Sequence, residues 1–320
     1  MVAKGATERV KWCSYDGWHR GGTRVTDLHE NPVIGVLGGS GVYDMDGLVD
    51  AEWRDVGSSF GTPSDAILFG TLDGTRMAFL PRHGRGHKCS PSSINYRANI
   101  DAMKRAGVTD LISVSAVGSL REDLPPGHFV LVDQFIDRTF AREKSFFGTG
   151  CVAHVSMARP VAPRLVDHLA AACADLGLPH QRGGTYMTME GPQFSTLAES
   201  ELYRAWGCDV IGMTNMPEAK LAREAEIPYA TVAMVTDYDC WHPDHEAVTV
   251  EQVVTHLLAN ADNARRLLRA AAPTIAAARP AVDMAGGDRA LDAALITHED
   301  ARDPALVARL DAVAGRLLNA

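Results

Sequence analysis

The chain has 320 residues, of which 46% are apolar and 22% charged, with a formal net charge of −9. Those proportions describe a globule that can bury a sizeable core without staples. The acidic balance excludes broad binding to nucleic acid or to an anionic membrane surface, so any anion must be held by a local basic patch. The six cysteines form no CxxC pair and read as reduced thiols of a cytoplasmic protein. No apolar run approaches the ~18 residues that a membrane helix needs. Residues 1–30 carry Lys4, Arg9, Lys11, Arg20 and Arg24 without a hydrophobic segment, so no secretory signal is expected.

Residues 1–30 are polar and aperiodic and read as an extension. A body over 31–275 then alternates strands and helices, which predicts a single-domain α/β fold. Its mixed, mainly parallel twisted sheet is flanked by helices. Val33 to Leu37 is a buried strand running into Gly38-Gly39-Ser40-Gly41, where glycines let the backbone aim N–H groups at an anion and Ser40 adds a hydroxyl. The pattern is neither GxGxxG nor GxxxxGK[ST], so a dinucleotide fingerprint or P-loop is not supported. Arg76 to Leu80 is a second strand. The loop after it, Pro81-Arg82-His83-Gly84-Arg85-Gly86-His87-Lys88, concentrates basic side chains in an acidic protein and suits phosphate oxygens.

Ser93 to Arg105 reads as a helix stopped by Gly107. Leu111 to Val114 is a buried strand ending in Ser115-Ala116-Val117-Gly118-Ser119. Phe129 to Asp133 is a further strand, and Pro163 to Leu176 an amphipathic helix with Leu165, Leu169, Cys173 and Leu176 on one face. Tyr186 to Ser195 is a strand then a turn. Val210 to Thr214 is another short strand, with Pro217 placed to start the next helix. Thr249-Val250-Glu251-Gln252 has capping-box form, with Val248 and Val253 as a staple and Val254, Leu257, Leu258 and Ala261 continuing the helix. Residues 273–288, with Pro273, Pro280 and Gly286-Gly287, read as a linker, and 276–320 as a whole as linker and C-terminal helical extension. Leu306, Leu310, Val313 and Leu317 lie at helical spacing, packed on the body or on another subunit.

The stretch Ala230 to Trp241 organises the rest. Its apolar, β-branched start reads as a strand buried on both faces, and it ends in Asp237 and Asp239. If the extended backbone continues that far, both carboxylates face one way. Two such groups do not both ionise comfortably, and the neutral one can donate a proton. In open α/β sheets ligands bind beyond the carboxyl ends of the strands, so a heterocycle fits there. The bland alternative is that both acids cap the next helix or face water. His242 and His245 invite a metal, but Pro243 separates them and no second ligand cluster is evident, so no metal is expected.

Taken together, Gly38-Gly39-Ser40-Gly41, Arg82-His83-Gly84, Ser115 to Leu120, Glu190-Gly191-Pro192-Gln193-Phe194, Gly212-Met213-Thr214 and Thr236 to Trp241 form an ordered set. The set resembles the trimeric purine nucleoside phosphorylase superfamily over about residues 31–275, and within it the branch acting on S-methyl-5′-thioadenosine. The resemblance implies phosphorolysis. Orthophosphate, a co-substrate rather than a cofactor, attacks the anomeric carbon, and adenine leaves with formation of 5-methylthioribose 1-phosphate. By the same resemblance Ser40, Arg82, His83, Ser115, Ala116 and Thr214 hold phosphate, and Met213 lies against the sugar. Phe194 packs on the base, and Asp237 with Asp239 handles the proton at N7 and the 6-amino group.

Relatives acting on 6-oxopurines carry Asn and Glu where this chain has Asp237 and Ser195, which implies a 6-aminopurine. Val250 stands where binders of a free 5′-hydroxyl often carry His, which implies a thioether. His154 matches a residue that crosses into a neighbouring subunit, so the resemblance implies a homotrimer and leaves a hexamer open. The same chemistry on methylthioinosine, inosine or adenosine is the alternative. A dehydrogenase or a non-catalytic nucleotide-binding protein is disfavoured by the missing GxGxxG and by the joint presence of Asp237 and Arg82.

Overall fold

The computed structural model describes residues 31–39, 41–243 and 250–318, and within the helix from Val250 the side chains from Asn260 onward. The expected extension 1–30, the Ser40 hydroxyl, His245, the Thr249 capping box with its staple, and the Val250 side chain lie outside the described residues.

In chain order the elements are β1 (Val33–Gly38), β2 (Val49–Arg54), β3 (Ile67–Leu72), β4 (Thr75–Pro81), α1 (Tyr96–Arg105), β5 (Asp110–Ser119), β6 (Phe129–Leu131), β7 (Gln134–Asp137) and α2 (Pro163–Asp175). There follow β8 (His180–Arg182), β9 (Thr185–Thr188), α3 (Leu197–Ala205), β10 (Val210–Gly212), α4 (Asn215–Glu224), β11 (Tyr229–Asp237), α5 (Val250–Ala277), α6 (Pro304–Arg309) and α7 (Gly315–Leu318). The strands join one sheet in the order β2-β3-β4-β1-β5-β10-β9-β7, with β11 pairing β5 and β6, and β8 pairing β6. β1 is parallel to β4 and β5, and β11 is parallel to β5, so the centre of the sheet is parallel as expected. Antiparallel pairs lie at β2-β3, β3-β4, β5-β10 and β6-β11.

The central strands read as continuous apolar runs because both faces are covered. Along β1, Val33 and Leu37 join a core with Ile100 and Met103 of α1 and Leu221 and Ala222 of α4. Ile34 and Val36, on the opposite face, join Leu165, Leu169 and Cys173 of α2 and Leu267, Leu268 and Ile275 of α5. The two-residue alternation of a strand thus feeds two separate cores from one segment. Buried leucines and valines on this pattern each contribute about 1.5–3 kcal/mol.

Three expectations are corrected. β5 does not stop at Val114 but continues as strand through the small residues to Ser119, because β11 pairs with it as far as Gly118 and β10 pairs with Gly118 and Ser119. The linker does not begin at Pro273, for α5 runs through that proline to Ala277. Ala271, Ala272 and Ile275 are fully buried around it, and their packing offsets the ~3 kcal/mol that an interior proline costs. The final helix is two short ones separated by turn, α6 and α7. This segment packs on the body: Leu291, Leu310, Val313 and Ala314 enter the α1–α4 core. Arg279 meets Asp110 at 3.1 Å and Asp288 at 2.9 Å.

Leu310 is wholly buried although it lies ten residues from the end of the chain. Leu310→Ala should therefore lower the unfolding free energy by about 2–5 kcal/mol. Urea denaturation checks this, and an unchanged midpoint would mean that the C-terminal segment does not share the core.

Candidate active site

The site forms where β5 changes partners. One edge of β5 pairs with β11 from Leu111 to Gly118. On the other edge β1 pairs only as far as Ser113, and β10 joins only at Gly118. Val114, Ser115, Ala116 and Val117 lie between, and all four line a cavity of about 260 Å³. The Val114 carbonyl faces this open edge, where Arg82 donates to it at 3.1 Å. Alternation along the strand puts the Ala116 N–H on the same edge.

Arg82, directly after β4, plugs the fork. Its Nη2 donates to the Leu37 carbonyl at 3.1 Å and to the Ser113 hydroxyl at 2.6 Å. Its Nε donates to Glu218 of α4 at 2.7 Å, both side chains being 2% exposed. Burial works against the guanidinium charge, but Glu218 outweighs it and holds Arg82 charged. Tyr229 steadies Glu218 by donating to its second oxygen at 2.9 Å. Of the five N–H groups of an arginine, one on Nη1 has no partner among the described residues and can serve a ligand.

Two of the hydroxyls expected at the phosphate end, those of Ser115 and Thr214, lie together. Ser115 Oγ lies 3.1 Å from the Tyr186 hydroxyl and 3.4 Å from Thr214 Oγ1. Thr214 occupies the N-cap position of α4 yet makes no side-chain cap bond, so its hydroxyl is free for that cluster. His83 and His87 also line the cavity, their rings stacked at 4.2 Å. Burial, then the charges of Arg82, His87 and Arg142, push the His83 imidazole down to about 4, against the pull of the Cys89 carbonyl at 2.8 Å. The basic loop is not one patch: Arg85 turns away, donating to Asp65 and lying 4.2 Å over the Trp53 ring.

At the other end, Asp237 Oδ2 accepts from the Thr236 hydroxyl at 2.6 Å and Oδ1 from the Asp239 N–H at 2.8 Å. β11 ends at Asp237 and Asp239 has φ of 52°, so the extended backbone does not continue and the two acids do not share a strand face. A turn brings both to the cavity instead. The Asp239 carboxyl is pushed up. Burial is the main cause, against nearby hydroxyls of Ser200 and Ser195, and the charge of Glu199 adds to it. Asp239 Oδ2 is buried and finds no hydrogen-bond partner among the described residues. Trp241 pins the following turn by donating to the Ser119 carbonyl at 2.7 Å.

Met213, Met189, Ile211 and Val117 supply the apolar wall between the two ends, and Phe194, 46% exposed, stands at the cavity. Arg142 donates to the Met213 carbonyl at 2.6 Å and so holds that residue in place. Ser195 is half-buried beside Asp239. His154 is elsewhere: it is exposed, its N–H donates to Ala294, and it lines a second cavity with Lys144, Lys220 and Glu224. His242 Nε2 donates to the Glu122 carboxylate at 3.0 Å, and no group of three metal-ligating side chains occurs among the described residues. Sequence reasoning missed Glu218 and Tyr186. Nothing local marks Glu218 as the partner of Arg82, 136 residues away.

A sheet opened at its central strand, with anion donors at one end of the gap and carboxyl groups at the other, fits a nucleoside-cleaving phosphorylase. Residues 33–273 match the phosphorylase superfamily, and the chain belongs to it. It is 67% identical over 294 residues to the S-methyl-5′-thioadenosine phosphorylase of Rhodospirillum rubrum, covering 92% of this chain and 100% of that protein. Among solved structures it is similar to a methylthioadenosine phosphorylase from an antarctic soil metagenomic library, with a TM-score of 0.83 and 47% identity over 88% of this chain and 99% of that one. The methylthioadenosine phosphorylase of Schistosoma mansoni in complex with adenine follows at a TM-score of 0.75 and 34% identity, covering 82% and 97%.

Two outcomes are expected. A Cβ at position 118 would lie 2.8 Å from Asp237 Oδ1, so Gly118→Ala displaces that carboxylate. Its kcat/KM should fall by about tenfold to a hundredfold, as steady-state kinetics with a melting control will read. Glu218→Gln leaves the buried Arg82 uncompensated and should cost about 3–5 kcal/mol in chemical denaturation.

Proposed function

We propose that this chain cleaves S-methyl-5′-thioadenosine with orthophosphate, giving adenine and 5-methylthioribose 1-phosphate, in methionine and purine salvage. The observation that carries the reading is the pairing, within one cavity, of an anion end and an acid end. The free Nη1 hydrogen of Arg82, the hydroxyls of Ser115 and Thr214 and the Ala116 N–H make the first, and Asp237 and Asp239 make the second. The names of the relatives agree with it.

In this mechanism phosphate is bound before reaction and oriented at the anomeric carbon, which makes the attack effectively unimolecular. Positive charge grows on the ribose as the glycosidic bond breaks, and the phosphate itself balances it against the apolar wall at Met213. Adenine must leave with a proton at N7. Asp237 and Asp239 hold that edge of the base, and the raised carboxyl of Asp239, whose buried Oδ2 has no partner among the described residues, suits the 6-amino group or a shared proton. Asp237 and Ser195 favour the amino over the oxo purine, and Val250 the thioether over a hydroxyl. An unmatched buried hydroxyl would cost roughly 1–3 kcal/mol. Phosphate is a substrate and no cofactor is needed. The working unit is a cytoplasmic homotrimer in which the exposed His154 completes a neighbour's site.

The first test follows free adenine from methylthioadenosine with and without orthophosphate. Release only with phosphate is expected, and release in water alone would make the chain a hydrolase and sink the anion-site reading. Asp237→Asn should lower kcat by about 10²–10⁴ while the phosphate KM changes little; unchanged turnover would remove Asp237 from proton handling.

A further inference from the structure

The anion end of the cavity is already balanced in charge. Arg82 is compensated by Glu218 at 2.7 Å, and neighbouring Arg142 contacts Glu190 at 3.3 Å. Arg85 is taken by Asp65 at 2.8 Å. A dianion entering here meets dipoles and one guanidinium whose charge is offset.

His83 is the group that can answer. Its Nδ1 lies 2.8 Å from the Cys89 carbonyl, and a carbonyl only accepts, so Nδ1 carries the hydrogen. Neutral His83 therefore presents Nε2 as a bare lone pair, which repels an oxyanion. To donate to a phosphate oxygen the ring must gain a second proton. Without ligand, burial, Arg82, Arg142 and the stacked His87 all oppose that proton, while the Cys89 carbonyl favours it. A bound dianion reverses the balance.

We infer that the site binds its anion together with one proton from solvent, carried on Nε2 of His83, and that the His83–His87 stack is the proton acceptor of phosphate binding. The inference rests on the phosphate-site reading above. Its consequence is that phosphate attacks as the dianion, the better nucleophile and the better counter-charge for the developing ribose cation. The direction is set by the shift. His83 titrates at about 4 when free, and an opposite charge at contact raises such a group by about 1–3 units. Dianion affinity therefore strengthens as pH falls through the bound-state value and levels off below about 4.

Sulfate separates the two places the proton could sit, because it stays dianionic and cannot carry the proton itself. Sulfate and inorganic phosphate would each be titrated into the full chain by calorimetry at about pH 5, in buffers of differing ionisation enthalpy. Uptake of roughly half a proton or more per sulfate is expected, with His83→Asn abolishing it. Buffer-independent sulfate heats in the wild type, or unchanged uptake in the variant, would overturn the assignment. So would phosphate binding with sulfate excluded, since the proton would then ride on phosphate. No binding of either anion would instead sink the phosphate site itself. Should His83→Asn fail to fold, the wild-type ring's NMR titration decides: sulfate should move its midpoint up by about one unit or more, and no movement counts against the proposal.

Discussion

The structure depends on a single edge of β5. A strand has two hydrogen-bonding edges, and here β11 takes one along nearly its whole length while β1 and β10 share the other without meeting. The unpaired stretch from Val114 to Val117 would be a costly defect in a buried sheet. Arg82 makes the fork tenable by supplying donors to Leu37, Ser113 and Val114, where a neighbouring strand would otherwise stand. Its charge in turn requires Glu218, and Glu218 is held by Tyr229, so the opening is braced from three elements.

That construction explains how the ends of the cavity differ. At the anion end the charges cancel before a ligand arrives, and the remaining donors are hydroxyls, a backbone N–H and one guanidinium hydrogen. At the acid end, Gly118 lets β11 come close enough for Asp237 to sit against β5, and the turn at Asp239 buries a second carboxyl with an oxygen unsatisfied among the described residues. A buried polar atom without a partner costs free energy in the empty site. A ligand that donates to it recovers that cost, which makes the base edge of the substrate a natural occupant.

The C-terminal segment belongs to the same economy of packing. Leu310 and Val313 close the core under α1 and α4, while Arg279 and Asp288 tie the segment to Asp110 at the start of β5. Through the bridge between Ala153 and Leu295, and the bond from His154 to Ala294, it also holds the stretch that carries His154. The strand on which the site is built and the loop outside it are thereby anchored to one body.

Much of this was legible in the residues. The apolar runs of β1, β5 and β11 announced buried strands, the motifs after them marked Arg82, His83, Ser115, Asp237 and Asp239, and the family resemblance added Thr214; all six line the cavity. The signals in the residues themselves are local: hydrophobic period, glycine after a strand, acid at a strand end. What the sequence did not carry is which edges pair and which side chains meet across the fold. The continuation of β5 to Ser119 follows from pairing with β11 and β10, and the helix through Pro273 from burial around it. The Asp239 carboxyl is raised because the turn buries it. Arg82 and Glu218 are joined only when α4 is laid beside the fork. Local chemistry is written along the chain, but burial and charge pairing are properties of neighbours in space, and the tertiary structure alone decides those.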